Sequence, residues 1–303
     1  MEGGHSTMTK TKRPVSGWII LDKPYGLSST QAVGKVRWLY NAEKAGHAGT
    51  LDPLATGLLP IALGEATETV PFVQGGSKRY SFDLEWGSST TTDDAEGEIV
   101  ATSEVRPSEA EVLAMLPRFT GTIMQRPPPF SAIKVDGERA YDLARSGQTV
   151  ELAPRPVTID ELTLVSHTPE RSRFDMACEK GTYVRSLARD LAEALGTRGH
   201  VTMLRRTAVA GFSEADAITL ETLEAAPDRD ALLRPSSIAL RHLPELCVSA
   251  DDAALIRNGG VVLLRGASAP ISIEQAWASA NGSAVAIGSV RAGHFHPSRV
   301  LRG

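Results

Sequence analysis

Residues 46–60 read Gly46-His47-Ala48-Gly49-Thr50-Leu51-Asp52-Pro53-Leu54-Ala55-Thr56-Gly57-Leu58-Leu59-Pro60, a run in which three glycines and two prolines surround a lone carboxylate. Glycine permits positive φ or close backbone approach, and proline removes a donor and stiffens the chain, so the run specifies a fixed loop rather than a regular element. Asp52 is the group that loop presents. Two readings stand at this point: a positioned functional acid, or an N-cap for a helix whose first residue is Pro53.

Upstream, the apolar run 18–21 ends at Asp22-Lys23-Pro24, and Ser28, Ser29 and Thr30 offer caps for a helix carrying Val33, Val36 and Leu39. Downstream, 58–63 reads as a buried strand and 65–73 as a short helix stopped by Gly75-Gly76. Tyr80, Phe82, Leu84 and Trp86 alternate with Ser81, Asp83 and Glu85, which predicts a strand with one face on a core and the other in water. The polar tract 87–97 reads as a loop, and Ser108 with Glu111 has capping-box spacing ahead of a helix carrying Val112, Met115 and Leu116. Pro127-Pro128-Pro129 forces an extended segment, and 131–147 adds a strand-like piece and a short helix, an excursion of the kind that is usually functional or mobile. Phe174, Met176 and Cys178 alternate along a strand, after which Val184, Leu187, Ala188, Leu191 and Leu195 follow helical spacing from a start near Tyr183. Beyond Pro244, some sixty residues rich in Ala, Gly and Val, with strand candidates at 261–264 and 284–290, suggest a small β domain.

With 303 residues and 42% hydrophobic content the chain can bury a substantial core, as one large domain plus a small one or as two moderate ones. The longest apolar runs, such as 70–73 and 261–264, fall far short of the roughly 20 residues that span a bilayer, so no membrane association is expected. Residues 1–14 are polar, include Lys10, Lys12 and Arg13, and lack an apolar core for secretion. They read as a flexible leader, ending near residue 15, on a cytoplasmic protein. Cys178 and Cys247 have no neighbouring ligand pattern, which argues against zinc or a disulfide and leaves two core thiols. The net charge of −4 weighs against a nucleic-acid partner, since phosphates are met by Lys and Arg. Local clusters weigh the other way. Lys35 with Arg37, Lys78 with Arg79, and Arg198, Arg205 and Arg206 are candidates to line a phosphate-tracking groove, and a solvated face is the alternative for each. The segment 244–303, with five Arg and four acids, is the less acidic part of the chain.

Arg185 falls in the first turn of the helix that starts near Tyr183, where the dipole disfavours a cation by typically ~0.3–1 kcal/mol at exposed sites. A charge placed there suggests an anion nearby, Asp52 or a phosphate; an exposed arginine on a tolerant helix end is the plain alternative.

Four blocks taken together carry a resemblance: Gly17-Trp18-Ile19-Ile20-Leu21-Asp22-Lys23-Pro24, the run around Asp52, Lys78-Arg79-Tyr80, and Lys180-Gly181-Thr182-Tyr183-Val184-Arg185. In order and separation, over residues 17 to about 212, the chain resembles the TruB family of tRNA pseudouridine synthases. The resemblance implies an α+β fold with a mixed, mainly antiparallel sheet flanked by helices (the pseudouridine synthase fold) over 16–240. It further implies a thumb insertion at about 125–152, where Lys134, Arg139 and Arg145 would meet RNA, and a small PUA-like β domain at 244–303. It implies isomerisation of uridine 55 in the tRNA T arm, by a monomer that needs neither cofactor nor metal nor protein partner. Turning uridine into pseudouridine moves the glycosidic bond from N1 to C5 of the same ring, which calls for a carboxylate beside the anomeric carbon, as nucleophile, charge stabiliser or base. Asp52 is the candidate, with Arg185 as its partner. A flipped base needs an aromatic face and edge hydrogen bonds. On the family's pattern Tyr80 stacks on the base, Tyr183 and the Leu204 backbone hold the uracil, His47 contacts the RNA loop, and Lys23 and Pro24 support the Asp52 loop. From pattern alone Tyr80 and Leu204 are equally core residues. Other classes compatible with the same features are a tRNA-folding chaperone, a guide-directed synthase working inside a ribonucleoprotein, and a glycoside hydrolase; the last lacks a second acid next to Asp52 in sequence.

Overall fold

The computed structural model describes residues 12–131, 133–135, 137–139, 152–266 and 269–301. In chain order these form β1 (Gly17–Lys23), α1 (Ser29–Tyr40), β2 (Ala45–His47), β3 (Thr56–Leu63), α2 (Val70–Gln74), β4 (Lys78–Trp86), β5 (Ser88–Thr90), β6 (Ile99–Thr102), α3 (Glu109–Met115) and β7 (Gly121–Gln125). There follow β8 (Lys134–Val135), β9 (Glu138–Arg139), β10 (Arg155–His167), β11 (Arg171–Cys178), α4 (Val184–Ala194), β12 (Gly199–Val209), β13 (Phe212–Ser213), β14 (Ile218–Thr219) and α5 (Leu220–Ala225). The C-terminal part holds β15 (Glu245–Cys247), α6 (Ala250–Arg257), β16 (Val262–Leu263), β17 (Ile273–Ala280), β18 (Ser283–Arg291) and β19 (His294–Val300).

The main sheet runs β14-β1-β3-β12-β4-β11-β10-β7, with β2 added to β3 and β13 to β12. Only β1–β14 and β3–β12 pair in parallel, so the sheet is mixed and mainly antiparallel. Its central strands are buried on both faces. In β1, Ile19 and Leu21 enter one core with Val36, Tyr40 and Leu59, while Trp18 and Ile20 enter a second with Leu58, Val73, Val209 and Phe212. That is why 18–21 reads as a continuous apolar run instead of an alternating one. Helix α1 begins at a capping box in which Ser28 and Gln31 satisfy each other's backbone donors, and α3 repeats the device with Ser108 and Glu111. Helix α4 buries Val184, Leu187, Ala188 and Leu191 on one stripe against the sheet. The C-terminal β domain is a five-stranded sheet, β15-β17-β18-β19-β16, with its own core around Ala253, Ile256, Val262, Val285 and Phe295. Its Trp277, Ile287 and Leu301 pack against Phe72 of α2 and Leu240, and Arg299 reaches Glu68 in the 3-10 turn ahead of α2. No described helix is long and apolar enough to cross a membrane.

Several local expectations change. The segment 65–73 is not one helix: a 3-10 turn over Gly64–Thr69 gives way to α2, with Pro71, which lacks a backbone donor, in its first turn. The tract 87–97 is not a plain loop, because Ser88–Thr90 pairs with Ile99–Thr102 and the intervening turn is buried at Asp93 and Asp94. Asp83 is buried, since Arg173, its direct partner on β11, clamps it at 2.7 and 3.0 Å. Cys247 is exposed and only Cys178 is a core thiol, with burial pushing that thiol up to about 11. At the N-terminal side the leader is already tied at its end: the Arg13 N–H donates to the Asn41 carbonyl and Val15 is buried in the main core. Between β7 and β10 the chain shows the hairpin β8–β9. The side chains of Lys134 and Arg139, the whole of Arg145, and the short helix expected before Gly147 lie outside the described residues.

Gly57 sits at φ +97° with the Arg206 backbone oxygen 2.2 Å from where a Cβ would be. Strand β3 can therefore lie parallel to β12 only with glycine here. Gly57→Ala should cost at least roughly 1–3 kcal/mol from the left-handed backbone alone, read as a lower urea midpoint at unchanged slope; an unshifted midpoint would contradict this account of the β3–β12 contact.

Candidate active site

Asp52 stands in a turn closed by the Ala55 N–H on the Asp52 carbonyl, and no helix starts at Pro53. A helix is prevented because the Pro53 carbonyl is already taken by the Gly26 N–H at 2.8 Å and by Lys23 Nζ at 3.3 Å. The rest of the loop is pinned in the same way. Ser29 Oγ accepts from Leu51 N–H and donates to the Leu51 carbonyl, and the fully buried Arg206 donates to the carbonyls of Leu58, Thr50 and Gly49. Lys23 Nζ also holds the Pro24 and Leu27 carbonyls at 2.9 and 2.7 Å, joining the β1–α1 turn to the Asp52 loop. Burial lowers the Lys23 ammonium to about 8, against the pull of Asp52.

Arg185 is the centre of the charge arrangement. Its Nε lies 2.9 Å from Asp52 Oδ2 and 3.5 Å from Asp94 Oδ2, while Nη1 and Nη2 donate to the carbonyls of Thr92 and Phe130. The guanidinium side chain is 5% exposed and Asp94 is 2% exposed, but Asp52 keeps 33%, so of the two acids Asp52 is the one that faces outward. Asp94 is further fixed by Thr92 Oγ1 and the Glu96 N–H. Burial raises the Asp52 carboxyl above its ordinary value, Arg185 opposes that shift, and Asp94 adds to it.

Asp52 opens into a cleft of about 1230 Å³, whose lining includes Tyr80, Tyr183, Leu204 and His47 as well as Arg185. Tyr80 faces Arg206 across the β4–β12 ladder and Met176 across β4–β11. Burial raises its phenol, with the Arg206 guanidinium opposing. Leu204, opposite Phe82, lies one pleat along β12 from Arg206. Tyr183 is the residue before α4, and its N–H and C=O are both held by the buried Gln125 side chain at 2.9 and 3.1 Å. The Arg155 guanidinium lies 5.5 Å from the Tyr183 ring centre and donates to the Gly181 carbonyl. His47 ends β2 and pairs with Ile61. Lys23 and Pro24 stay behind the loop, outside the cleft lining.

The described lining carries five basic side chains, Lys78, Arg155, Lys180, Arg185 and Arg206, against one acid, Asp52. The basic clusters of the sequence divide accordingly. Lys78 is buried, donates to the Gln74 and Gly76 carbonyls and is lowered to about 8 by that burial. Lys35, Arg79, Arg198 and Arg205 are each engaged by carboxylates, of Glu224, Glu161, Glu193, and Asp22 with Glu214. Arg37 is spent on the carbonyls of Ala42 and Glu43. Asp94, Gln125, the bridge from Ser29 to the Leu51 backbone and the buried role of Arg206 carry no local mark in the sequence, where Ser29 reads as a candidate helix cap and Thr90-Thr91-Thr92-Asp93-Asp94 signals only a polar turn. Among the described residues no group of three or more His, Cys, Asp or Glu could hold a metal.

Two family models match the chain consecutively: the N-terminal domain of the TruB family pseudouridylate synthases over residues 37–184, and the C-terminal domain of tRNA pseudouridylate synthase B over 185–241. A tRNA pseudouridine synthase B of Mesorhizobium japonicum is 50% identical, covering 97% of this chain and 98% of its own. That of Brucella anthropi is 51% identical, at 96% and 97% coverage. Among solved structures, an H/ACA ribonucleoprotein bound to a substrate RNA containing 2′-deoxyuridine has a chain with TM-score 0.74 and 23% identity, covering 95% of this chain and 85% of that one, and so shares the fold. A chain of a Cbf5–Nop10–Gar1 complex has TM-score 0.72 at 25% identity, covering 94% of this chain and 85% of that one. With matched family models spanning most of its length and half of its residues identical in full-length relatives, this chain belongs to the TruB family of pseudouridine synthases.

Proposed function

We propose that the chain isomerises uridine 55 in the T arm of tRNA to pseudouridine, as a cytoplasmic monomer acting without a protein partner, and that Asp52 is the reacting carboxylate. One observation carries this reading: the outward-facing Asp52, held at 2.9 Å by a buried Arg185, opens into a cleft that is otherwise basic and that also holds Tyr80. Within that lining the exposed Lys180 and the half-buried Arg155 are placed to meet phosphate even though the whole chain is acidic, whereas Lys78, Arg185 and Arg206 are buried on groups of the protein. The reaction breaks the bond between C1′ and N1, joins C1′ to C5, removes the C5 proton and returns a proton to N1, so no atom is gained or lost. Attack by Asp52 on C1′ and removal of a sugar proton both require its ionised form. Arg185 keeps that form available in a site whose burial opposes it. Tyr80, in a wall shared with Leu204, offers the ring on which the extruded uracil stacks, and Tyr183, its own backbone fixed by Gln125, holds the uracil together with the Leu204 backbone. His47, at the mouth of the loop, suits contact with the RNA outside the target base.

Purified protein alone, incubated with an unmodified tRNA transcript, should form pseudouridine at position 55, and product at other positions only would overturn the site assignment. Asp52→Asn should retain tRNA binding and form no product; substantial product from it would remove Asp52 from the chemistry. Arg185→Lys, which loses the planar fork that spans two acids and two carbonyls, should lower kcat by roughly 100-fold, and a wild-type rate would show that Arg185 does not govern Asp52. Because the folded environment raises the Asp52 carboxyl, activity is present above its shifted pKa and is lost as pH falls through it. The acid limb of kcat/KM should therefore lie above the ordinary aspartate value of about 3.9, and in Arg185→Gln, where the opposing cation is gone, it should move to higher pH still.

A further inference from the structure

Arg185 and Arg189 lie one turn apart on α4, and the second repeats the bonding of the first. Arg185 reaches Asp94 and the Phe130 carbonyl. Arg189 Nη1 reaches Asp93 Oδ2 at 2.9 Å, its Nη2 donates to the Arg126 carbonyl at 3.0 Å, and its Nε donates to Asp190 at 2.9 Å. Each guanidinium thus takes one acid of the Asp93-Asp94 pair and one carbonyl of the segment 126–130 that leads from β7 into the insertion. The Arg189 and Asp93 side chains are 19% and 11% exposed and neither lines the cleft, so they are set back from the place where the target base would sit. Asp93 also holds a left-handed backbone, φ +60°, a conformation that Asp and Asn tolerate better than other side chains. That conformation turns the chain between β5 and β6 so that the Thr92 carbonyl and the Asp94 carboxylate both face Arg185.

We propose that Arg189 and Asp93 are positioning residues for pseudouridine formation. Their ion pair fixes the 90–97 turn, and the Arg126 contact fixes the root of the insertion. Together they keep Thr92, Asp94 and Phe130 where Arg185 needs them to hold Asp52. The inference rests on Asp52 being the reacting carboxylate and extends that reading to a pair that touches neither Asp52 nor the cleft. Without the pair, the turn is free to leave its left-handed conformation. Arg185 would then lose partners on two sides, and its Nε would no longer be set against Asp52.

The test compares the parent with Arg189→Met, Arg189→Lys, Asp93→Asn and Asp52→Asn on a T-arm stem-loop RNA, in steady state and single turnover, normalised to folded protein by circular dichroism. Asp93→Asn keeps a residue at ease with positive φ and removes only the charge; Arg189→Met keeps the aliphatic stem. Both should lose about 10- to 100-fold in kcat, as displacements of about 1 Å in a reacting group do. KM should stay within about twofold, as befits residues that do not bind substrate. Arg189→Lys, able to pair with Asp93 but not to span to the Arg126 carbonyl as well, should fall between Arg189→Met and the parent. Should Arg189→Met fail to fold, Asp93→Asn carries the comparison. A kcat for Asp93→Asn within about twofold of the parent, or a loss confined to KM, would overturn the proposal. The Asp52→Asn control separates the two claims: product from it overturns the reading of Asp52 and this inference with it, whereas an inactive Asp52→Asn beside an unimpaired Asp93→Asn overturns this inference alone.

Discussion

The backbone around Asp52 has no ladder or helix to satisfy its carbonyls, and the site depends on side chains doing so instead. Lys23 and Ser29 reach it from the β1–α1 side, and Arg206 from β12. Two of these are cations buried away from water. A buried charge is costly unless its hydrogen bonds are met, and here the loop carbonyls meet them. The same contacts therefore solvate the cations and immobilise the loop, so a loss on either side strands the other. Close approach completes the constraint: Gly57 lets the strand leaving the loop press its backbone on Arg206.

On that fixed loop a single acid is left facing the cleft. Asp94 shares Arg185 but is itself engaged by Thr92 and the Glu96 N–H, so its role is to hold the guanidinium, leaving Asp52 as the group with a free direction. Chain-wide charge misleads about the partner because much of the acid is spent on distant arginines, as in Asp83 with Arg173 and Asp22 with Arg205. Along the described lining of the cleft Asp52 is the one acid, beside five basic side chains.

How much was legible varies by element. The capping box at Ser108, a helix start among the caps Ser28, Ser29 and Thr30, the alternation of β4 and the stripe of α4 are local patterns, and each appears where it was read, with Ser28 as the cap of α1. The Thr-rich tract before Asp94 was not legible as a hairpin, since three-residue strands of Ser and Thr look like turn. Asp83 looked solvent-facing because alternation reports the side of a strand and not what covers that side; Arg173 covers it. A dipole argument flagged Arg185 as misplaced but left its anion open between Asp52, a phosphate and none.

From sequence alone came the family, through four motif blocks in order, and with it the mixed sheet and the β domain that follows it. Local spacing determined helices and strands because capping and side-chain periodicity act over a few residues. Tertiary structure decided what lies more than 90 residues apart in sequence: that Arg185 holds two acids instead of one, that Arg206 serves the loop and is not left to solvent, and that one cleft gathers the basic side chains. Those pairings arise from strand order and packing, and a charged residue carries no local mark of which distant carbonyl or carboxylate it will meet once buried.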